Sequence, residues 1–211
     1  MQNRKIIEPK RSIDVIHETD VLVVGSGPGG LSAAIASARC GVKTTLLERF
    51  GCFGGNITVV GVEGFAWYRH EKTIEAGGIG REFEELAKEM GAAVPESQSL
   101  SYELDSEGFK LVADKLVMDS GIHPMLHRSF SMPIMEGNTV IGVIVESKAG
   151  REAILSKVVI DATGDADVAF RAGAQLNTMP VEELMATSVM FHLAGVDKKA
   201  FLSEIQNNPQ S

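Results

Sequence analysis

The feature that most constrains this chain is a continuous order of strand, glycine turn, helix and strand over residues 20–49. The apolar run VLVV at 21–24 leads into the turn GSGPGG at 25–30. An alanine-rich stretch typical of a helix follows over 31–39, and a second apolar run occupies 43–47. Short, continuously apolar strands are typical of parallel sheets that are covered on both faces. The pattern therefore predicts a βαβ unit in an α/β fold.

The turn places glycine at the three positions of a phosphate-binding fingerprint. Gly25 permits the tight turn, Gly27 lets the backbone approach a pyrophosphate, and Gly30 lets the helix pack on the sheet. The amino end of the helix offers N–H groups and a partial positive charge to phosphates. Glu48 lies eighteen residues after Gly30, where an acceptor for ribose hydroxyls is expected. The stretch predicts a dinucleotide site, and the carboxylate disfavours the 2′-phosphate of NADP.

Two later glycine turns and a run of strands complete the pattern. The second turn, FGCFGGN at 50–56, directly follows the acidic strand end. The third turn, ATG at 162–164, precedes a short helical stretch at 166–172. Between these turns, alternating apolar residues predict an antiparallel β-meander whose strands are 122–135, 139–146 and 153–161.

The rest of the chain carries weaker signals. Amphipathic patterns predict helices over 80–90 and 106–119, joined by a polar surface connection. A short edge strand is expected near 13–15. Close to the end, 185–193 is expected to be a new strand and 197–205 a short helix.

The order and spacing of these motifs resemble the FAD-dependent oxidoreductase family of the glutathione-reductase-like fold. The resemblance extends from residue 20 to about residue 197. It is carried by Arg49 and GGN at 54–56 after the acid, by the meander, and by DATGDAD at 161–167. These two motifs resemble those of a branch of the family that includes fumarate-reductase-like flavoproteins. The implied fold is a Rossmann-like FAD-binding domain with a parallel sheet plus an antiparallel β-meander.

The resemblance implies FAD as the cofactor and assigns roles to particular positions. The first turn would hold the pyrophosphate, Glu48 the adenosine ribose, and Arg49 would lie along the adenosine. The second turn would approach the ribityl–flavin end, backbone near Phe130 would meet the adenine, and the third turn would close over the cofactor. The implied cofactor-binding residues are Gly25, Ser26, Gly27, Pro28, Gly29, Gly30, Glu48, Arg49, Gly54, Gly55, Asn56, Phe130, Ala162, Thr163, Gly164 and Asp165.

Members of that family are usually about twice as long as this chain. By resemblance, residues 1–178 form the first part of the FAD-binding domain, with a loop and helix insertion at about 62–105. Residues 179–211 then begin a substrate domain that is apparently truncated. The chain is interpreted as a fragment, the product of a truncated gene, or one subunit of a split enzyme. A partner chain or self-association would complete the C-terminal half.

Three functions are compatible with the sequence. The first is the FAD-binding portion of a flavin-dependent oxidoreductase that transfers hydride or electrons to or from an unknown small molecule; no catalytic residue is predicted. The second is a non-catalytic dinucleotide-binding fragment or subunit that needs a partner chain. The third is an NAD-binding dehydrogenase, which would not need the second and third glycine turns.

Other reactive side chains are expected to have ordinary structural roles. Cys52 has no partner cysteine nearby, so it is expected to be a small buried side chain rather than a redox thiol. His123 and His127 have a metal-ligand spacing for a helix, but Pro124 between them favours a strand, so no metal is predicted. Asp165 is expected to cap the helix that follows it rather than to pair with Asp161 in acid–base chemistry.

The aromatic loop holds another candidate. Tyr68, Arg69 and His70 follow Trp67 in a loop that, by resemblance, faces the flavin. They are candidate substrate contacts, although an ordinary surface loop is favoured.

Composition excludes some partners. The formal net charge is -8 over 211 residues, without a long basic run, which disfavours nucleic acid and anionic membrane surfaces. The apolar runs are too short to span a bilayer, and the N-terminus has no signal-peptide core. Two cysteines without a CxxC motif fit a reducing, cytoplasmic location.

Overall fold

The computed structural model describes residues 5–65, 69–70, 74–96, 100–191 and 193–208, with backbone alone for 69–70 and 74–75. The chain divides into two compact units, residues 1–177 and 178–211. This division falls beside the boundary predicted at 178/179. The assignment of the two parts to a cofactor domain and a substrate domain stays a prediction.

The structure contains five α-helices and ten strands within the described residues. The helices are α1 (Pro28–Arg39), α2 (Ile79–Glu89), α3 (Ser106–Asp119), α4 (Asp167–Arg171) and α5 (Lys198–Asn207). The strands are β1 (Val15–Val24), β2 (Thr44–Leu47), β3 (Arg69–His70), β4 (Ile74–Glu75), β5 (Ala93–Pro95), β6 (Tyr102–Leu104), β7 (His123–Met125), β8 (Ser129–Glu136), β9 (Thr139–Ser147) and β10 (Gly150–Asp161).

The main sheet has six strands in the order β7-β2-β1-β10-β9-β8. Neighbours from β7 to β10 run parallel, and β10, β9 and β8 continue as an antiparallel meander. Two short antiparallel pairs, β3–β4 and β5–β6, stand apart from it. The predicted α/β fold, a parallel sheet extended by a β-meander, is therefore confirmed.

The sheet is buried on both faces where its central strands are continuously apolar, as those runs predicted. Val23 packs with the helix residues Ile35 and Phe109 in one core cluster. Its neighbours Leu22 and Val24 belong to a second cluster with strands of the meander. Because successive side chains of a strand point to opposite faces, this split shows that β1 lies in the middle of the domain. Its carboxyl end is thereby held between the turns that follow β2 and β10.

Two strand predictions near the meander were wrong. The single strand expected at 122–135 is two strands, and the first of them, β7, pairs in parallel with β2. His127 breaks the run with a φ of 55°, a conformation that few non-glycine residues adopt. The short strand expected near 13–15 instead begins the long β1, which pairs with β10 from Val15 onward. The predicted surface connection after α2 contains the pair β5–β6.

The strand expected at 185–193 is also absent from the part that the structure describes, since residues 185–191 and 193 take no strand conformation. A strand needs a neighbour to satisfy its backbone groups, and no described strand pairs with this segment. Its apolar side chains are exposed, Met185 by 94% and Val189 by 86%. The helix expected at 197–205 is confirmed as α5. Asp197 caps it by accepting from the N–H groups of the second and third residues of the helix.

Candidate dinucleotide-binding cleft

A cleft of about 840 Å³ opens at the carboxyl ends of β1, β2 and β10. In open α/β sheets this edge is where ligands bind, and the volume lies in the range of small-molecule sites. Most of the residues predicted to bind the cofactor line the cleft; those that do not are Gly30, Gly54 and Asp165. The cleft thus gathers all three glycine turns.

The first and third turns are fixed against each other through glycine contacts. Ala162 N–H donates to Val24 O at 2.9 Å. A Cβ on Gly25 would lie 2.4 Å from Ala162 O, and one on Gly30 would lie 1.9 Å from Gly25 O. Carbon and oxygen do not approach so closely without a bond, so both positions require glycine. Gly30 therefore acts from behind the cleft, by letting α1 approach the turn.

The first and second turns touch in the same manner. Gly54 N–H donates to Ser26 O at 2.9 Å, and a Cβ on Gly55 would lie 2.7 Å from Gly27 Cα. Gly54 and Gly55 have φ values of 116° and 55°, which favour glycine. Gly54 therefore shapes the turn without lining the cleft.

Gly27 differs from these packed glycines. A Cβ on it would meet no described atom within 4 Å, and the residue lines the cleft at the N-cap of α1. Its φ of -63° is open to any residue, so the fold itself does not require glycine here. The space that a side chain would fill remains free beside the N–H groups of the helix end. A glycine that the fold does not need, at an anion-binding helix end, indicates close approach by a ligand.

Glu48 is fixed at the end of β2 by donors from its own chain. Ser26 N–H and Ser26 Oγ donate to Oε2 at 2.9 and 2.5 Å, and Phe50 N–H donates to Oε1 at 2.9 Å. The backbone of Glu48 bonds to that of Met125 and Arg128 on the neighbouring β7 segment. Only 5% of the residue is exposed, yet it lines the cleft. Three hydrogen bonds from its own chain thus orient the carboxylate.

The third turn is held by Asp161 rather than Asp165. Thr163 donates to Asp161 Oδ1 through its N–H at 3.1 Å and its hydroxyl at 2.7 Å. Ala169 N–H of α4 donates to Asp161 Oδ2, and Thr163 Oγ1 accepts from Asp167 N–H, both at 2.9 Å. The predicted capping by Asp165 was wrong.

The reason lies in the backbone just before α4. Ala166 is the N-cap residue and adopts the left-handed conformation, with a φ of 57°. That turn leaves the capping to side chains that lie earlier in the sequence than Asp165. Asp161 therefore has a structural role in the cap, which accounts for its carboxylate without acid–base chemistry.

A family model described as FAD dependent oxidoreductase matches residues 20–210. The chain belongs to the FAD dependent oxidoreductase family. FAD is accordingly its cofactor, and the cleft fits it: Gly27 leaves space beside the amino end of α1, and Glu48 offers a carboxylate at the end of β2. Contact of individual residues with FAD stays a prediction.

Relatives within the curated proteins include thiamine thiazole synthases. That of Metallosphaera sedula is 34% identical over 160 residues, which cover 71% of this chain and 55% of that protein. That of Saccharolobus solfataricus is 34% identical over 162 residues, which cover 72% and 57%. The chain thus spans about half the length of the curated relatives it matches.

Solved structures agree in fold. A geranylgeranyl bacteriochlorophyll reductase-like protein from Thermoplasma acidophilum superposes with a TM-score of 0.55 at 23% identity, over 75% of this chain and 43% of that one. THI4 of Thermovibrio ammonificans has a TM-score of 0.51 at 24% identity, over 73% and 61%.

The FAD cleft includes residues that sequence reasoning missed. Arg128 precedes the predicted adenine-contacting strand and lines the cleft, with its Nε 3.4 Å from Glu152 Oε2. Arg49 places its guanidinium carbon 4.7 Å from the centre of the Phe50 ring. The sequence carried a signal for Arg128, since it is a basic residue two positions before the predicted Phe130. Other cleft-lining residues outside the prediction include Val24, Leu47, Phe50, Ile160, Asp161, Ala166, Asp167, Ala169 and Arg171.

The second turn continues into a π-helical segment, Asn56–Val60, which the sequence pattern did not predict. Such segments are rare and occur often at functional sites. Within this segment Ile57 and Thr58 are buried, whereas Val59 and Val60 line the cleft and are exposed by 38% and 48%. The second turn thus adds an apolar wall to a cleft whose other turns offer polar backbone.

The remaining candidate residues lie elsewhere. Cys52 is half-buried, with its Sγ 4.0 Å from Thr58 Oγ1, and is absent from the cleft lining. His123 stacks on His17 with ring centres 4.5 Å apart. Within the described ranges, no three His, Cys, Asp or Glu side chains cluster as metal ligands would. Tyr68, and the side chains of Arg69 and His70, lie outside the described residues.

Proposed function

We propose that this chain is the FAD-binding portion of a flavin-dependent oxidoreductase that transfers hydride or electrons to or from a small molecule. The observation that carries the proposal is the convergence of three glycine turns on one cleft, with Gly27 left open. An NAD site of the simple Rossmann kind uses the first turn alone. The second and third turns support a longer cofactor.

In this proposal the chain's own residues bind the cofactor and orient it. The first turn and the amino end of α1 bind the pyrophosphate, Glu48 accepts from the adenosine ribose, and Arg49 and Arg128 supply positive charge beside it. Val59 and Val60 supply an apolar wall along the second turn. When bound, FAD itself supplies the redox chemistry.

The visible spectrum of the purified chain tests this proposal. We expect flavin absorption bands, either as isolated or after addition of FAD and removal of excess by gel filtration. Release by heat and mass spectrometry then identifies the cofactor. A preparation that stays colourless after incubation with FAD contradicts the proposal for this chain.

A non-catalytic dinucleotide-binding subunit is the alternative, supported by exposed apolar side chains such as Met185 and Val189, which a partner chain would cover. The two functions differ in whether bound flavin exchanges electrons with a donor when the chain is alone. Anaerobic mixing of the FAD-loaded chain with NADH or NADPH, followed at the flavin band, separates them. Bleaching by either donor supports the enzyme, whereas bleaching that occurs only after a partner chain is added supports the subunit.

We also propose that a partner chain or a second copy covers residues 178–211. The support is a run of exposed large apolar side chains, which soluble proteins rarely leave uncovered. They include Met185, Val189, Phe191 and Leu193. Light scattering of the purified chain tests this: a monodisperse monomer at high concentration contradicts it.

A cytoplasmic location is proposed as well. Within the described residues, no helix is both long and apolar enough to cross a bilayer. Cys40 and Cys52 are both free thiols, and Cys40 is exposed, which fits a reducing compartment. Cell fractionation with thiol labelling tests the location, and recovery outside the cytoplasm contradicts it.

A further inference from the structure

Ser26 stands between two glycines of the first turn and is completely buried. Its N–H and its hydroxyl both donate to Glu48 Oε2, at 2.9 and 2.5 Å. The other oxygen, Oε1, receives only the N–H of Phe50 at 2.9 Å among the described donors. One serine therefore engages one side of the carboxylate twice.

The two oxygens of Glu48 consequently differ in what they can still accept. An ionised carboxylate has about four acceptor sites, two on each oxygen. Both sites of Oε2 are taken by Ser26, whereas Oε1 keeps one site. Because Glu48 lines the cleft, this single site is what remains for a ligand hydroxyl.

We propose that Ser26 is a positioning residue that sets how Glu48 reads the ribose. By occupying Oε2, the Ser26 hydroxyl leaves Oε1 alone for the ligand, so the site recognises one of the two ribose hydroxyls. This inference rests on the proposed function, since it requires adenosine to lie at the end of β2. It differs from the sequence expectation, in which the acid would hold the hydroxyl pair.

Replacement of Ser26 separates positioning from space filling. Ser26→Ala keeps the Cβ and the backbone N–H and removes only the hydroxyl. Oε2 then regains one acceptor site, and the carboxylate offers both oxygens to the ribose. The asymmetry between the two ribose hydroxyls should therefore disappear.

The experiment is calorimetric titration with ADP, 2′-deoxy-ADP and 3′-deoxy-ADP, which carry the adenosine end of the cofactor. A hydrogen bond to a charged group corresponds to about a 10- to 100-fold change in affinity. The native chain should bind one deoxy analogue about 10-fold or more weakly than ADP, and the other less than about 3-fold more weakly than ADP. In Ser26→Ala the two losses should lie within about 3-fold of each other.

Two controls isolate the role of the hydroxyl. Ser156→Ala removes another buried serine hydroxyl, one without a hydrogen-bond partner among the described residues, and should keep the native asymmetry. In a Glu48→Gln background, Ser26→Ala should leave the analogue ratios unchanged, because Ser26 acts through the carboxylate. Ser26→Gly, which also lacks the hydroxyl, serves if the alanine variant does not fold.

Equal losses for both analogues in the native chain overturn the proposal, as does an asymmetry that survives Ser26→Ala. Binding of FAD without asymmetry toward the analogues overturns this inference alone. Failure to bind both FAD and ADP overturns the proposed function together with it.

Discussion

Replacement of Gly27 by alanine should weaken FAD binding strongly while leaving the chain folded. The added Cβ would meet no described atom within 4 Å, and the φ of -63° suits alanine. The cost to the fold is limited to the N-cap preference, about 1 kcal/mol. For a chain of this size that is about 2–4 °C in the melting temperature.

The cost to the ligand is larger, because the new methyl group enters the space beside the helix N–H groups. Overpacking costs about 1–3 kcal/mol, and each displaced hydrogen bond to a charged phosphate about 1.5–3 kcal/mol. Together these predict a loss of FAD affinity of about 100-fold or more.

Gly29→Ala and Gly30→Ala are matched variants in the same turn. Gly29 also lines the cleft with no described neighbour within 4 Å, but it is not a fingerprint position and lies inside α1. Its replacement should raise stability by up to about 1 kcal/mol through helix propensity. It should also weaken FAD binding less than Gly27→Ala does, because Gly29 is not the position at which the backbone approaches the pyrophosphate most closely.

Gly30→Ala places a Cβ 1.9 Å from Gly25 O, whereas ordinary contact begins at 3.4 Å. The helix end must therefore move by about 1.5 Å, at a cost of about 1–3 kcal/mol, or about 2–12 °C in melting temperature. Thermal unfolding without cofactor and flavin fluorescence titration measure the two effects separately. Native FAD affinity in Gly27→Ala, or an unchanged melting temperature in Gly30→Ala, would refute the reasoning.

Three further predictions concern stability. Burial, and then the charge of the stacked His123, lowers the pKa of His17 below its ordinary 6.5. The unfolded chain therefore binds a proton more readily than the folded chain, and stability falls as the pH drops below about 6.5. His17→Gln should flatten this dependence of stability on pH, measured by urea unfolding between about pH 7.5 and 5.5. Thr163→Val removes two hydrogen bonds of the third turn and should cost about 1–3 kcal/mol by the same method, with a smaller loss contradicting the assigned cap. Ile154→Ala at a fully buried site should lower the free energy of unfolding by about 2–5 kcal/mol, whereas Leu111→Ala, at a residue 61% exposed, should change it by no more than about 0.5 kcal/mol. Similar losses of stability in the two variants would contradict the assigned core.

The sequence predicted those parts of the site whose signals are local. Strand, turn, helix and acid follow one another within thirty residues, so the positions of Gly25, Gly27 and Glu48 could be inferred from spacing alone. The packed glycines were also identifiable, because only glycine fits where backbones touch. All three turns meet at one edge because parallel strands end there.

What the sequence could not show depends on unusual backbone conformations or on contacts between distant segments. His127 and Ala166 are left-handed without being glycine, and these two residues divided the predicted strand and moved the helix cap to Asp161. Arg128 reaches the cleft only because β7 pairs with β2. The pairing of Ser26 with Glu48 likewise joins residues twenty-two positions apart.

Equilibrium titration of the purified chain with FAD, in competition with AMP and with 2′,5′-ADP, tests the central claim most directly, because these two competitors differ only in the 2′-phosphate. A cradle made by three glycine turns and a buried Glu48 predicts saturable binding of one FAD per chain, and it predicts that AMP displaces FAD at lower concentration than 2′,5′-ADP does. Absence of saturable FAD binding, or equal displacement by the two competitors, would contradict the account.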